Sequence, residues 1–253
     1  FKNIIFIVAS LILSIALVYF CFFSGYFIIQ DFQIVEADTI ITNNLELNDF
    51  ITPQVINQNL LVLDDKKISE SIINQFPEIQ EVKVSKNFPN KVNIELIKYK
   101  VVANLFNNVI GSDGVKIQKK FQINSNGMLT IENEENPDLP YIRLTTPKIL
   151  SLKEYAISKD KLDYITQVTN LFEEKFGMRI LEAEYIKKGR EVRLKTEKFF
   201  TVWIDMTKDM NGQIDKLKKA IPKLDIYNTP LEYIDLRISG TDAEKVIYKK
   251  RKT

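Results

Sequence analysis

Hydrophobic and polar residues follow different spacings along this chain, and the first stretch has no polar face at all. From Ile4 to Phe23 the residues are apolar or aromatic, apart from two serines, with no charge, proline or glycine. As a helix rising about 1.5 Å per residue, this run reaches about 30 Å, the thickness of a bilayer's hydrocarbon core. A cleaved signal peptide has a shorter apolar region, about 7–15 residues, and small side chains before its cleavage site. Here the exit reads Cys21-Phe22-Phe23-Ser24-Gly25-Tyr26, and Phe20 ahead of Cys21 is too large for lipoprotein processing. The expectation is an uncleaved transmembrane helix at residues 4–25 behind a cytoplasmic remnant at 1–3, with Phe1 in place of a starting methionine implying a trimmed cytoplasmic stretch. Lys2 precedes the span, and Asp31, Glu36 and Asp38 are the first charges after it. That asymmetry places the amino end inside and the remainder outside the cytoplasm.

Beyond the span, the spacing alternates between helix and strand. Phe32 and Ile34 alternate within a first strand, Ile28–Val35. A short helix is expected near Asn48–Asn57, its ends blurred by Pro53. Asp64 or Asp65 can cap a second helix, in which Ile68, Ile72, Ile73 and Phe76 recur at helical spacing before Pro77. Val82 and Val84, then Val92, Ile94 and Leu96, alternate on either side of the turn-forming Asn87-Phe88-Pro89-Asn90. The order β-α-α-β-β closes a small α/β unit over residues 26–103.

The remainder, 104–249, reads as a second domain. Its opening, Asn104 to Gln122, shows no clear period, only the turn residues Gly111-Ser112-Asp113-Gly114. These are no phosphate loop, because no Gly-Lys-Ser/Thr follows. A strand at Phe121–Asn124 turns at Ser125-Asn126-Gly127 and returns through Ile131. Glu132, Glu134 and Glu135 follow in a proline-flanked loop without calcium-ligand spacing. Ser158 then caps a helix whose Leu162, Ile165, Val168, Phe172 and Phe176 form one stripe ending at Gly177. Strands are expected at Ile180–Ile186, Glu191–Lys195 and Phe199–Asp205, a helix at Asn211–Ile221, and final strands at Leu231–Ile238 and Lys245–Lys249 around the turn Ser239–Asp242. The aromatics, Trp203 included, read as core. The whole is α+β: a membrane helix, the small unit, then a mostly antiparallel sheet with two packing helices and a basic tail at 250–253.

Composition removes most chemistry. There are 35 basic and 33 acidic side chains and no histidine, so Ser-His and Cys-His pairs and the commonest metal ligand are all missing. One cysteine forms neither an internal disulfide nor a cysteine-rich zinc site. The near-neutral charge argues against a dedicated nucleic-acid binder. The reading is a binding protein, not an enzyme, with no catalytic, metal or cofactor site.

Three segments together resemble a known family. Asn59-Leu60-Leu61-Val62-Leu63-Asp64 leads into a helix, then Phe76-Pro77-Glu78-Ile79-Gln80-Glu81-Val82-Lys83-Val84, then Asn87-Phe88-Pro89-Asn90-Lys91-Val92-Asn93-Ile94. This is similar to a POTRA domain, in particular that of FtsQ/DivIB-type bacterial cell-division proteins. Leu231-Glu232-Tyr233-Ile234-Asp235-Leu236-Arg237-Ile238 resembles the Ile-Asp-Leu-Arg signature of that family's C-terminal domain, and the order of anchor, POTRA and β domain matches over nearly the whole chain. One departure is Lys98-Tyr99-Lys100-Val101-Val102-Ala103, where the family usually carries Glu-Arg-x-Pro-Val-Ala. The resemblance implies a non-enzymatic septation scaffold in the inner or plasma membrane, concentrated at the septum, whose C-terminal domain docks FtsB-like and FtsL-like proteins.

A last strand is often a sheet edge, which lysines protect or a partner strand occupies. The candidate partner-binding edge is therefore Glu244, Lys245, Val246, Ile247, Tyr248, Lys249 and Lys250, with Val246 and Tyr248 as side-chain contacts. Ile234, Asp235, Leu236 and Arg237 form a structural signature, Asp235 and Arg237 projecting from one face as an ion pair or interdomain anchor. Two other classes stay in view. One is an accessory component of protein export or outer-membrane assembly; the other is an envelope hydrolase, which would need two carboxylates facing one cleft.

Overall fold

The computed structural model describes residues 2–36, 39–40, 44–110, 116–238 and 246–251. Contacts divide the chain into two compact units, Phe1–Tyr99 and Lys100–Thr253. The division falls ahead of the expected 103/104 boundary because Val101–Ala103 already belong to a strand of the second unit.

The first unit begins with α1, Lys2–Phe23. Within it Asn3–Phe23 is long and apolar enough to cross a membrane, and none of that stretch is buried. A 3-10 turn at Gly25–Phe27 leads to β1, Asp31–Glu36, later than the strand start expected at Ile28, because Ile28 bridges Asn59 instead. The two-residue β2, Thr39–Ile40, follows. Next come α2, Leu45–Val55, and α3, Asp65–Gln75. Asn44 and Asp64 cap these helices by accepting from Leu47 and Lys67 N–H groups, so of the two candidate caps Asp64 serves. Pro53 lies inside α2, where the missing N–H removes a rung near the helix end and leaves the preceding turns intact. β3, Ile79–Asn87, and β4, Lys91–Lys98, complete a sheet in the order β2-β1-β4-β3, with β1 parallel to β4. Ile51 and Val55 from α2, Ile72 from α3, and Val92 and Ile94 from β4 are all fully buried between helices and sheet. Each such side chain contributes about 1.5–3 kcal/mol.

Among the described residues, the second unit is built on one nine-stranded sheet. Its strands are β5 (Val101–Ile110), β6 (Lys116–Asn124), β7 (Leu129–Glu132), β8 (Tyr141–Thr146), β9 (Ile180–Ile186), β10 (Glu191–Thr196), β11 (Thr201–Asp205), β12 (Leu231–Asp235) and β13 (Ile247–Lys250). They lie in the order β13-β12-β11-β10-β9-β8-β5-β6-β7. Five pairings are antiparallel; β11–β12, β8–β9 and β5–β8 are parallel. The unreadable stretch after Asn104 is thus a long strand pair, with its turn residues Gly111–Gly114 outside the described residues. β8, absent from the sequence reading, sits near the sheet's middle. Strand boundaries also shift: β12 stops at Asp235, short of Ile238, and β13 runs over Ile247–Lys250. The expected turn at Ser239–Asp242 lies outside the described residues.

Two helices, α4 (Lys159–Phe176) and α5 (Met210–Leu224), bury Phe172, Ile165, Ile214 and Leu217 in one core with Val192, Leu194, Val202, Ile204 and Ile234. Because strand side chains alternate, Arg193, Trp203 and Asp235 lie in register on the opposite face. Trp203 is therefore half-buried on the helix-free face rather than in the core, correcting the expectation for it. Gly177 ends α4 in the left-handed region at φ 60°. Gly127, at φ 84°, makes a closer demand: an added Cβ would sit 1.8 Å from the Ile157 carbonyl oxygen.

Candidate partner-binding edge

The two edges of the nine-stranded sheet are finished differently. At β7, the segment 153–156 covers the start of the edge: Leu129 donates to Glu154 O and accepts from Lys153 N, and Met128 bridges Tyr155. At the other end, β13 pairs only with β12 among the described residues, so its second backbone edge faces outward. All four β13 residues are exposed. An exposed edge presents N–H and C=O groups spaced to accept another strand.

Side chains on β13 follow its register. Tyr248 lies opposite the buried Ile234, at the end of the helix-covered face, and Lys249 lies opposite Tyr233 on the open face. Lys249 Nζ is 2.8 Å from Glu232, and the hydrogen bond it donates to that carboxylate raises the Lys249 pKa. Val246, just ahead of the strand, packs partly against the core. It is anchored inward, unlike the outward-facing Ile247 and Tyr248. Arg251 ties the end down, its N–H donating to Pro230 O and its guanidinium to Phe199 O at 2.8 Å. Of the seven sequence-identified edge residues, Glu244 and Lys245 lie outside the described residues; Val246, Ile247, Tyr248, Lys249 and Lys250 form the run just described.

The signature residues stand beside this edge. Ile234 and Leu236 are buried. Arg237 grips Asp235 with two side-chain bonds, Nε to Oδ1 at 2.9 Å and Nη2 to Oδ2 at 2.7 Å, and its backbone N–H adds a third at 3.0 Å. Burial opposes ionisation of Asp235, but the Arg237 bonds outweigh it and hold the carboxyl below the usual range. The bonds Arg237 donates to Asp235, joined by one it donates to Glu191, raise the Arg237 pKa in turn.

Sequence reasoning did not find Glu191, the hub of this cluster. Only 4% exposed, it accepts from Arg193 at 2.7 and 3.0 Å and also from Arg237. The Arg193 and Arg237 guanidiniums lie 4.4 and 4.8 Å from the Trp203 ring, and Tyr233 stacks on Trp203 with centroids 4.6 Å apart. Such cation–π and stacking contacts add to an ion network that holds β10, β11 and β12 together. The signal for it was the cross-strand register of Arg193, Trp203 and Asp235, which only the pairing reveals. The acidic loop weighed for calcium is tied elsewhere: Glu132 pairs with Lys119 at 2.8 Å, and Glu135 with Lys120.

A family model described as a POTRA domain of FtsQ type matches residues 33–99, the stretch spanning most of β1 through β4. No curated protein matches the chain. Residues 33–99 are a POTRA domain of the FtsQ type, and it follows an amino-terminal helix long and apolar enough to cross a membrane.

Proposed function

We propose that this protein is a single-pass membrane scaffold of bacterial septation, with its amino end cytoplasmic and its POTRA and β domains outside. It acts by binding, without chemistry, and gathers FtsB-like and FtsL-like partners at the septum. The observation that carries this reading is the outward edge of β13 in a chain whose POTRA domain is of FtsQ type. A strand of the partner adds beside 246–250, takes up backbone hydrogen bonds, and meets Ile247 and Tyr248. The lysines there favour an acidic partner segment.

The experiment is co-purification of the full-length protein in detergent with an FtsB-like protein from the same cells. Tyr248→Pro removes one backbone donor and bends the edge; Ile247→Asp changes an exposed side chain and leaves the sheet's own pairing intact. Loss of the partner with both variants, at unchanged thermal stability, is the expected result. Undiminished capture by both overturns this docking mode. A fluorescent fusion in dividing cells separates the classes: midcell enrichment supports the scaffold, and outer-membrane enrichment favours an assembly accessory.

A further inference from the structure

The first unit carries an apolar rim that its own core does not use. In the loop between α2 and α3, Leu60 and Leu63 turn inward and are buried, while Leu61 and Val62 between them face outward, Val62 being 61% exposed. In the β3–β4 turn Phe88 is 65% exposed. Both segments sit at the exit of α1. Asn59 Nδ2 donates to the Cys21 carbonyl at 2.9 Å, Leu60 N donates to Phe27 O at 2.8 Å, and Lys86 Nζ donates to Leu63 O at 2.8 Å. A row of rings joins the helix to the turn, with Phe20–Phe27 centroids 5.8 Å apart and Phe27–Phe88 6.4 Å apart. Tyr26, 54% exposed, stands against both Phe20 and Phe27.

Depth follows from the helix rise. Cys21 is two residues from the end of α1, about 3 Å along its axis, so the Asn59 contact fixes the loop at the level of the last helical turn. If α1 fills the hydrocarbon layer, that level is the lipid–water interface, where aromatic side chains are enriched and apolar side chains leave water. We propose that the base of the POTRA domain, through Leu61, Val62, Phe88 and Tyr26, is a lipid-binding surface seated in the outer interface of the same membrane. The occupant is lipid because the rim is continuous with the apolar surface of α1. This inference rests on the reading of α1 as a membrane span. Its consequence is a fixed stance: two loops and a helix contact one bilayer, so the POTRA domain cannot swing freely on its stem.

The test uses the full chain in liposomes of phosphatidylethanolamine and phosphatidylglycerol, with Cys21→Ser removing the native thiol. An environment-sensitive fluorophore is attached singly at Ile12→Cys, Asn90→Cys or Gln80→Cys, and lipids carry nitroxide quenchers near the headgroup or deep in the acyl chain. Gln80 follows Ile79, at the far end of β3 from Asn87, roughly 25 Å from the turn by strand rise. The expected result is deep quenching at Ile12, shallow quenching at Asn90 several-fold above Gln80, and a fall to the Gln80 level when Leu61→Ser, Val62→Ser and Phe88→Ser are combined. Equal, weak quenching at Asn90 and Gln80 with Ile12 still deep overturns the seated POTRA and leaves the span standing. Quenching at Asn90 that survives the triple change overturns the rim's role. No deep quenching at Ile12 removes the span itself, and the proposal with it.

Discussion

Glu191→Gln is the sharpest probe of the cluster beside the proposed docking edge. The amide keeps the volume and an acceptor oxygen but removes the charge that two guanidiniums share, and turns an N–H donor toward them. Charge-assisted hydrogen bonds contribute about 1.5–3 kcal/mol each, and breaking one side of a buried pair costs about 3–5 kcal/mol. Both arginine side chains are 32% exposed, so solvent screens part of this, and Arg237 keeps Asp235. The discounted expectation is about 2–3 kcal/mol. A unit of this size moves about 2–4 °C per kcal/mol, so the midpoint should fall by roughly 4–12 °C. Trp203 is the only tryptophan and lies under both guanidiniums, so its fluorescence reports unfolding of this domain alone. Guanidinium chloride unfolding of the full chain in detergent, followed at Trp203, gives the number. A loss below about 0.5 kcal/mol, the scale of an ordinary surface change, would refute the claim that Glu191 holds the three strands together.

Three further outcomes follow from the same geometry. Gly127→Ala should cost at least about 3 kcal/mol, because left-handed strain of about 1–2 kcal/mol adds to a clash with an immovable carbonyl, whereas Gly177→Ala, which meets open space, should cost only about 1 kcal/mol; the two Trp203 unfolding curves decide it. Asp235 has a depressed native pKa, so its stabilisation is complete above the ordinary value of 3.8 and is lost as pH falls below it toward the native value. Asp235→Asn should flatten that part of the acid-unfolding profile, and an unchanged profile would contradict the assignment. Asn107→Ala leaves the buried Leu150 N–H without its acceptor and should cost about 1–3 kcal/mol by thermal unfolding.

The POTRA unit was legible because each of its elements advertises one face: Ile68, Ile72 and Phe76 at helical spacing, and Val92, Ile94 and Leu96 at strand spacing. The family resemblance then joined those elements. The opening of the β domain was not legible, for a physical reason. β5 carries Asn104 and Asn107, both fully buried, and these break the apolar alternation. Their amides serve distant loops, Asn104 bonding Asn136 and Leu139 carbonyls and Asn107 bonding Thr146 and Leu150. β8 offers only Ile142 and Leu144 as a pattern, too short to separate from the loop before it. Trp203 was misplaced because strand alternation says which residues share a face but not which face the helices cover. That the last strand closes the sheet at an edge was readable from its position near the end of the alternating series; that 153–156 covers the start of the opposite edge was not, since those contacts lack any sequence period.

The docking claim meets its most direct test in living, dividing cells. A photoreactive phenylalanine analogue replaces Tyr248 on β13, or Ile131 on β7 as the control, and cross-linked products are identified by mass spectrometry. The account predicts an FtsB-like adduct at 248 and none at 131. An adduct at 131 alone, or the same partner captured equally at both positions, would contradict it.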